Sequence, residues 1–480
     1  MQKSSFYYKW FQKTISIVVE CFFLISIIAT LYVLTSSFNG TLRYIVFVLL
    51  ALVYVTLIVF FKEKVKKTIN VALDKLSIIS EKNMLIILLM TILFLKAIYT
   101  LLFYFDPTQG GDIQLYNELA ERLMETNWIA SGDISHLVGI ARHLIMFKKI
   151  NMPLHIGMFA LMFVASIMYF LAFKKIVGKE KAFLLMLLYI LMPSTMLLSF
   201  APTHEVFAYF YFSFFIFFFN KLFEEDNKYR IVLYSIIVLI TVILVCKVSP
   251  LGMIIYVILG LSILLSNVNM NKKIIIGLVL MLSLLSTKIT PKRSSDNRLT
   301  TDMNTYYILI HGANIDSLGE QVDDFPNQAI REWMLENGTS DNYNYDTATE
   351  AAKNVLINQY KYLFTHPVDL VRIVAHKLYI LWSGDHYSVE LAHTYGAVSD
   401  IGFYLMLGLS TMIYLTALTI GMFFTKRKDD CIDISNCKLI VLGTAAITLF
   451  SVILNKYGIP ITVFIYLVAF YRADLGNYEV

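Results

Sequence analysis

A few ionisable residues stand where this chain is otherwise apolar, and they are its candidates for chemistry. Lys96 lies well inside the apolar run 84–105, where an ionisable group costs about 2.5–3.5 kcal/mol on insertion scales. It calls for a partner, and a phosphate or the carboxylate of Glu205 would serve. Lys247 closes the apolar run 230–247, where a lysine can hold a phosphate and stabilise charge as a bond breaks or simply snorkel to headgroups. His204 and Glu205 open another run; a carboxylate beside an imidazole can bind a hydroxyl, and equally a negative charge is at home in a helix's first turn. Arg142, His143 and Lys377 are further cations in polar stretches, able to bind phosphate or to face lipid. Asp112 opens the stretch Gly111–Thr126, where Asp is a favoured helix cap, and Asp106 before Pro107 reads as a turn residue.

The elements that must position these groups follow from composition. Of 480 residues 58% are hydrophobic and only 16% charged, against about 45–50% and about 25% in soluble domains. Stretches such as Ile231–Val245 and Ile274–Leu285 are apolar all round, which marks helices with apolar surroundings. The expected fold is therefore an all-α polytopic membrane protein. At about 20 residues per crossing, spans fall near 15–35, 43–61, 84–105, 152–173, 182–199, 205–220, 230–247, 250–266, 273–289, 401–424, 438–454 and 458–471, about twelve in all. The net charge of +5 is scattered in short clusters between spans rather than gathered on one basic surface, so nucleic acid is not an expected partner. Cys21 and Cys246 fall inside spans, and Cys431 and Cys437 share a short polar loop without zinc-site spacing, so all four read as free thiols. The N-terminal run to about Leu34 has no small-residue cleavage site and reads as a retained anchor.

Lysine and arginine set the orientation, because cytoplasmic loops retain them. With the N-terminus inside, the inner loops receive the groups Lys3–Lys13, Lys62–Lys82, Lys174–Lys181, Lys221–Arg230, Lys272–Lys273 and Lys426–Lys438, while the short outer loops receive Arg43, Lys247 and Lys456. Both termini are then cytoplasmic, and the long polar stretches Asp106–Asn151 and Thr290–Asp400 lie on the other face of a plasma membrane. In the first, Ile113, Tyr116, Leu119, Ala120 and Leu123 recur at helical spacing, which predicts an amphipathic helix lying on the membrane. In the second, Pro367–Trp382 opposes Leu370, Val371, Val374 and Leu378 to Asp369, Arg372 and His376 and reads as another interfacial helix. Ser294–Tyr345, rich in Asp, Asn, Gly and Ser, predicts a small irregular domain with turns. The organisation is a two-helix addition over 1–83, a membrane core over 84–290 with an external loop at 106–151, an external α-rich or mixed domain over 291–400, and C-terminal spans over 401–480.

The run Gly110-Gly111-Asp112-Ile113-Gln114-Leu115-Tyr116, just beyond an apolar span, resembles the first external loop of GT-C glycosyltransferases. The similarity is to bacterial relatives of protein O-mannosyltransferases and of the lipid A aminoarabinose transferase, glycosyltransferase families 39 and 83. Leu191-Met192-Pro193 through Ser199, then Pro202-Thr203-His204-Glu205, is similar to that family's third and fourth core helices, and Cys246–Gly252 to the basic turn between two later ones. His311-Gly312-Ala313-Asn314 with Gly319, and His366-Pro367 followed by Lys377 and Trp382, fit the same relatives. The resemblance runs from about residue 84 to 390 and is carried by the order and common side of short motifs. In two respects the chain departs: the loop follows the third span rather than the first, as an N-terminal addition explains, and the two-carboxylate motif of some subfamilies is not evident.

The resemblance implies a GT-C-like membrane enzyme that moves a sugar from a polyprenyl-phosphate-linked donor to an external acceptor by inverting displacement. Asp112 is then the catalytic base toward the acceptor, or the group that orients it. Lys247, Glu205, His204, Arg142, His143, Lys377, Tyr116 and Lys96 are the implied substrate-binding residues. The acceptor is an envelope glycan, teichoic acid, lipid or protein. No cofactor is called for, and nothing in the sequence supports a divalent metal; Walker A and dinucleotide motifs are absent. The alternatives are a flippase or transporter of lipid-linked saccharide, which matched halves would favour, and a polysaccharide polymerase or ligase.

Overall fold

The computed structural model describes residues 6–33, 35, 40–104, 111–126, 135–265, 269–288, 306–317, 325–338, 345–382, 387–396, 398–424, 432–450 and 459–473. These residues form helices and no strand: α1 (Phe6–Val33), α2 (Gly40–Ser77), α3 (Glu81–Phe103), α4 (Gly111–Thr126), α5 (Ser135–Lys149), α6 (Leu154–Val177), α7 (Lys179–Leu191), α8 (Pro193–Leu198), α9 (His204–Glu224), α10 (Lys228–Val248), α11 (Met253–Leu265), α12 (Met270–Lys288), α13 (306–312), α14 (Phe325–Glu336), α15 (Tyr345–Thr365), α16 (Pro367–Trp382), α17 (Tyr387–Tyr395), α18 (Asp400–Phe423), α19 (Ile432–Phe450) and α20 (Ile459–Arg472). Among the described residues seven helices are long and apolar enough to cross a bilayer, within α1, α2, α3, α6, α9, α10 and α18. Shorter apolar helices occupy Met253–Leu264, Ile434–Ala446 and Thr462–Arg472. The chain is thus a helical, multi-pass membrane protein.

Several expected spans take a different form, each for a local reason. The run 182–199 is not one rod. Met192 is extended (φ −70°, ψ 120°) and Pro193 lacks an amide proton, so α7 stops at Leu191 and a new short helix opens with the proline in its first turn. The run expected to end at residue 61 continues to Ser77, because Lys62–Lys75 holds good helix formers and no breaker. The run 250–266 opens as a 3-10 turn, Pro250–Gly252, before α11. Cys437 lies buried in α19 rather than in a polar loop, and Cys431 lies outside the described residues. Among the described residues Cys21, Cys246 and Cys437 form no disulfide.

α6, α7, α9, α18 and α20 meet around five tyrosines with almost no exposure, Tyr169, Tyr189, Tyr209, Tyr414 and Tyr466. Their ring centroids follow one another at 4.8 Å (169 to 209), 5.6 Å (209 to 189), 6.0 Å (189 to 466) and 6.4 Å (466 to 414). Such pairs add about 0.5–1.5 kcal/mol each beyond area burial. The tyrosines therefore weld five helices at the centre of the bundle.

The amphipathic helix expected at Gly111–Thr126 is α4, with those bounds. Its stripe of Ile113, Tyr116, Leu119, Ala120 and Leu123 is buried and α4 packs on α5. That face is spent on protein rather than on lipid, a correction to the surface-lying expectation. α16 likewise has the expected bounds but a rotated face: Ile373 and Lys377 are buried, Leu370 and Val374 half-buried, and Val368 and Val371 exposed. The stretch expected to be irregular holds two helices where described, α13 and α14, which pack with α15 around Ile310, Ile330, Met334, Ala351 and Ala352, with turns after each at 313–317 and 337–338.

Candidate functional site

Lys96 sits seven residues before the end of α3, about 10 Å of helix rise below it. It is buried, at 8% exposure, so it does not snorkel. Its ammonium donates to the Ser199 hydroxyl at 3.0 Å and to the Ser199 carbonyl at 3.3 Å, an acceptor left over where α8 ends. The Phe200 ring centroid lies 3.2 Å away and that of Phe159 5.5 Å, so aromatic faces supply the rest of the stabilisation. The partner is therefore the end of α8 rather than the Glu205 carboxylate.

The break that creates α8 also gathers polar side chains. Ser194, Thr195, Ser199, Thr203, His204 and Glu205 are all buried, Glu205 completely. His204 Nε2 lies 2.9 Å from Glu205 Oε1, and the Ser194 amide donates to Ser410 Oγ of α18 at 3.4 Å. Glu205 occupies the first turn of α9, where the helix dipole favours a carboxylate.

Asp112 is the second residue of α4, inside the first turn rather than ahead of it. Its side chain lies outside the described residues, as do Asp106 and Gly110. Its neighbour Ile113 is fully buried in an apolar cluster with Leu197, Phe200 and Ala201 around the end of α8, Val389 and Ala392 of α17, and Met406 of α18. The start of α4 thus joins, through Ile113, the apolar cluster that includes the ring the Lys96 ammonium touches. Tyr116, one turn on, is 2% exposed and packs in the main core.

A second polar group forms where α5 crosses the end of α10. A Cβ at Gly139 would overlap the carbonyl of Lys247, so only glycine allows the two backbones to meet. Gly252 makes a similar approach, its Cβ position lying 2.8 Å from the Cys246 backbone, which folds the Pro250–Gly252 turn back onto α10. Arg142 and Lys247 are exposed at this crossing. His143 donates from Nδ1 to the Gly139 carbonyl at 2.7 Å, leaving Nε2 to accept from the Tyr211 hydroxyl at 2.5 Å. Burial lowers its pKa while the Gly139 carbonyl opposes that shift. Packing of α4 on α5 joins this group to the Lys96 group.

Lys377 stands apart in its packing, since α16 contacts α1, α15 and α19. It is 1% exposed, and burial drops its ammonium to about 7. His366 stacks on Tyr362 with centroids 3.9 Å apart, and Asn314 accepts the Asp316 amide in a turn; Gly319 lies outside the described residues. Among the described residues no three His, Cys, Asp or Glu side chains converge as a metal site. Sequence reading missed Ser199, Phe200 and Tyr211, whose only signal was position: the residues after a proline break, and an aromatic one turn beyond an apparent core face. No family model, curated protein or solved structure matches this chain.

Proposed function

We propose that this protein is a GT-C-type membrane glycosyltransferase, with about twelve spans and cytoplasmic termini, that transfers a sugar from a polyprenyl-phosphate carrier on the external face. The observation that supports this reading best is the seating of the Asp112-bearing start of α4 in the apolar cluster that includes Phe200, against which the buried Lys96 ammonium rests. An inverting displacement at a phosphate leaving group needs a carboxylate toward the acceptor and a cation toward the phosphate, and Asp112 and Lys96 are the groups proposed for those roles.

In the proposed reaction Asp112 takes the proton of an acceptor hydroxyl as its oxygen attacks the anomeric carbon. The bond from that carbon to the carrier phosphate breaks, and its electron pair leaves on the phosphate oxygen. Lys96, Lys247 and Arg142 are the cations available to offset that charge, and His204 with Glu205 to bind acceptor hydroxyls. The acceptor is a glycan, teichoic acid, lipid or protein of the envelope. The driving energy resides in the donor.

The decisive experiment supplies carrier-linked sugar and candidate acceptors to the protein in nanodiscs. Asp112→Asn is expected to lower transfer by about 100-fold or more, in line with the worth of a general base. Full activity in that variant would sink the assignment.

A further inference from the structure

α9 carries phenylalanine on two faces, one buried in the core and one half-open beside it. Phe207, Phe212, Phe215 and Phe219 are buried, whereas Phe210, Phe214, Phe217 and Phe218 are half-buried. The half-open set is ordered. Phe210 and Phe214 have ring centroids 4.8 Å apart, Phe214 and Phe218 6.1 Å, Phe217 and Phe218 5.1 Å, and Phe218 meets Tyr234 of α10 at 5.7 Å. In the other direction Phe210 lies 5.1 Å from Tyr211, whose hydroxyl donates to His143 of α5 at 2.5 Å. From residue 210 to 218 the helix rises about 12 Å, close to the depth of one leaflet's hydrocarbon, about 15 Å. The exposed cations Arg142, beside His143, and Lys247, whose carbonyl abuts Gly139, stand at the upper end.

This edge differs from the chain's other lipid-facing surfaces. α2 exposes Leu49, Leu52, Val53 and Leu57 with Phe60 and Phe61 beyond them, α3 exposes Phe94 among Met90, Leu93 and Leu101, and α12 exposes Leu278, Leu282 and Leu285, surfaces that are mostly aliphatic and suit saturated acyl tails. Along α9 the same role falls to an unbroken column of rings. Ring faces are negative and attract the edge hydrogens of unsaturated groups, and stiff planar walls suit a chain built of flat, methyl-branched units. The cations above supply the charge complement for a phosphate.

We infer that this edge seats the isoprenoid tail of a polyprenyl phosphate, its flat units lying along Phe210, Phe214, Phe218 and Tyr234 and its phosphate at Arg142 and Lys247. The inference rests on the reading that the donor is polyprenyl-linked. The test uses the full-length protein in phosphatidylcholine nanodiscs and a polyprenyl phosphate bearing a benzophenone among its first isoprene units, with labelled peptides mapped by mass spectrometry. Saturable labelling within residues 207–234 is expected, displaced by unlabelled polyprenyl phosphate at a concentration at least tenfold lower than by dihexadecyl phosphate. The triple variant Phe210→Leu, Phe214→Leu, Phe218→Leu is expected to bind polyprenyl phosphate about tenfold more weakly with dihexadecyl phosphate binding unchanged; should it fail to fold, the labelling map of the unmodified protein decides alone. Equal displacement by the two lipids would make the edge an ordinary acyl surface and overturn the inference. Saturable labelling confined to other helices would overturn it while leaving the carrier reading standing, and no saturable labelling anywhere would remove both.

Discussion

The two ends of the helical bundle use the same residue types in opposite ways. At one end Lys174 pairs with Glu81, Lys175 with Glu224, and Lys272 with Asp226 at 3.6 Å. Lys179 donates to the carbonyls of Ser77 and Ile79, Lys181 to that of Ala473, and Lys272 to that of Phe223, all at helix ends where carbonyls lack intrahelical donors. These charges are partly exposed and mutually satisfied. At the other end Lys96, His204 and Glu205 are buried, and Lys96 leans on a serine and two rings instead of a carboxylate. Exposed pairs are cheap to keep and worth little, whereas a charge held inside the bundle is costly. The costly end is where a function must be sought.

The sharpest way to break that contrast is Lys96→Met, which keeps the length of the side chain and removes its charge. Transfer is expected to fall about 100-fold or more, the scale on which removing one preorganised electrostatic group acts. Folding stability should hold or rise, because replacing a buried ion with an apolar group is often neutral or stabilising. A variant that melts early and retains its specific activity would make Lys96 a structural residue. Next in size is Gly139→Ala, which forces α5 off the Lys247 carbonyl and should cost about 1–3 kcal/mol, read as a lower melting temperature with weaker binding at Arg142 and His143. Gly260→Ala is the matched control, since no neighbour lies within 4 Å of its Cβ position; equal losses at the two sites would deny that the crossing is tight.

How much of this could be read beforehand differs between the ends as well. Lysine counting anticipated the paired end well: Lys174, Lys175, Lys179, Lys181 and Lys272 do gather there, because interspersed apolar runs leave loop charges few other places. α4 and α16 were legible to the residue, since proline, glycine and a helical apolar period mark their bounds. Their orientation was not. Periodicity shows that a helix has an apolar face but not whether protein or lipid covers it, and α4 spends that face on α5. Nor could the sequence show that Lys96 turns to Ser199, 103 positions away, or that Glu20 pairs with Arg472. These are products of where Pro193 breaks a helix and of how α1 meets α20.

Lys377 tests whether a buried lysine away from both groups behaves as burial alone dictates. Its ammonium titrates near 7 in the fold and near 10.4 in an unfolded chain, so between those values the unfolded state holds more protons. Stability should therefore climb as pH rises from about 7 toward 10, by at most about 1.4 kcal/mol per unit, and level off beyond. Melting temperatures of the detergent-solubilised protein between pH 7.5 and 9.5 would show this climb, and Lys377→Met should lack that component. An unchanged slope in the variant would mean that other groups set it.

The smallest effect belongs to the paired end. Lys174→Met or Glu81→Gln removes an ion pair whose side chains are 23% and 48% exposed, and the expected loss is about 0.2–1 kcal/mol, shrinking further in high salt. The double variant should lose less than the two single losses added together, since either substitution alone ends the same interaction. Transfer activity should change less than twofold. If instead Lys174→Met impaired transfer as deeply as Lys96→Met, the two ends would be coupled through α3 and α6, and assigning chemistry to only one of them would be wrong.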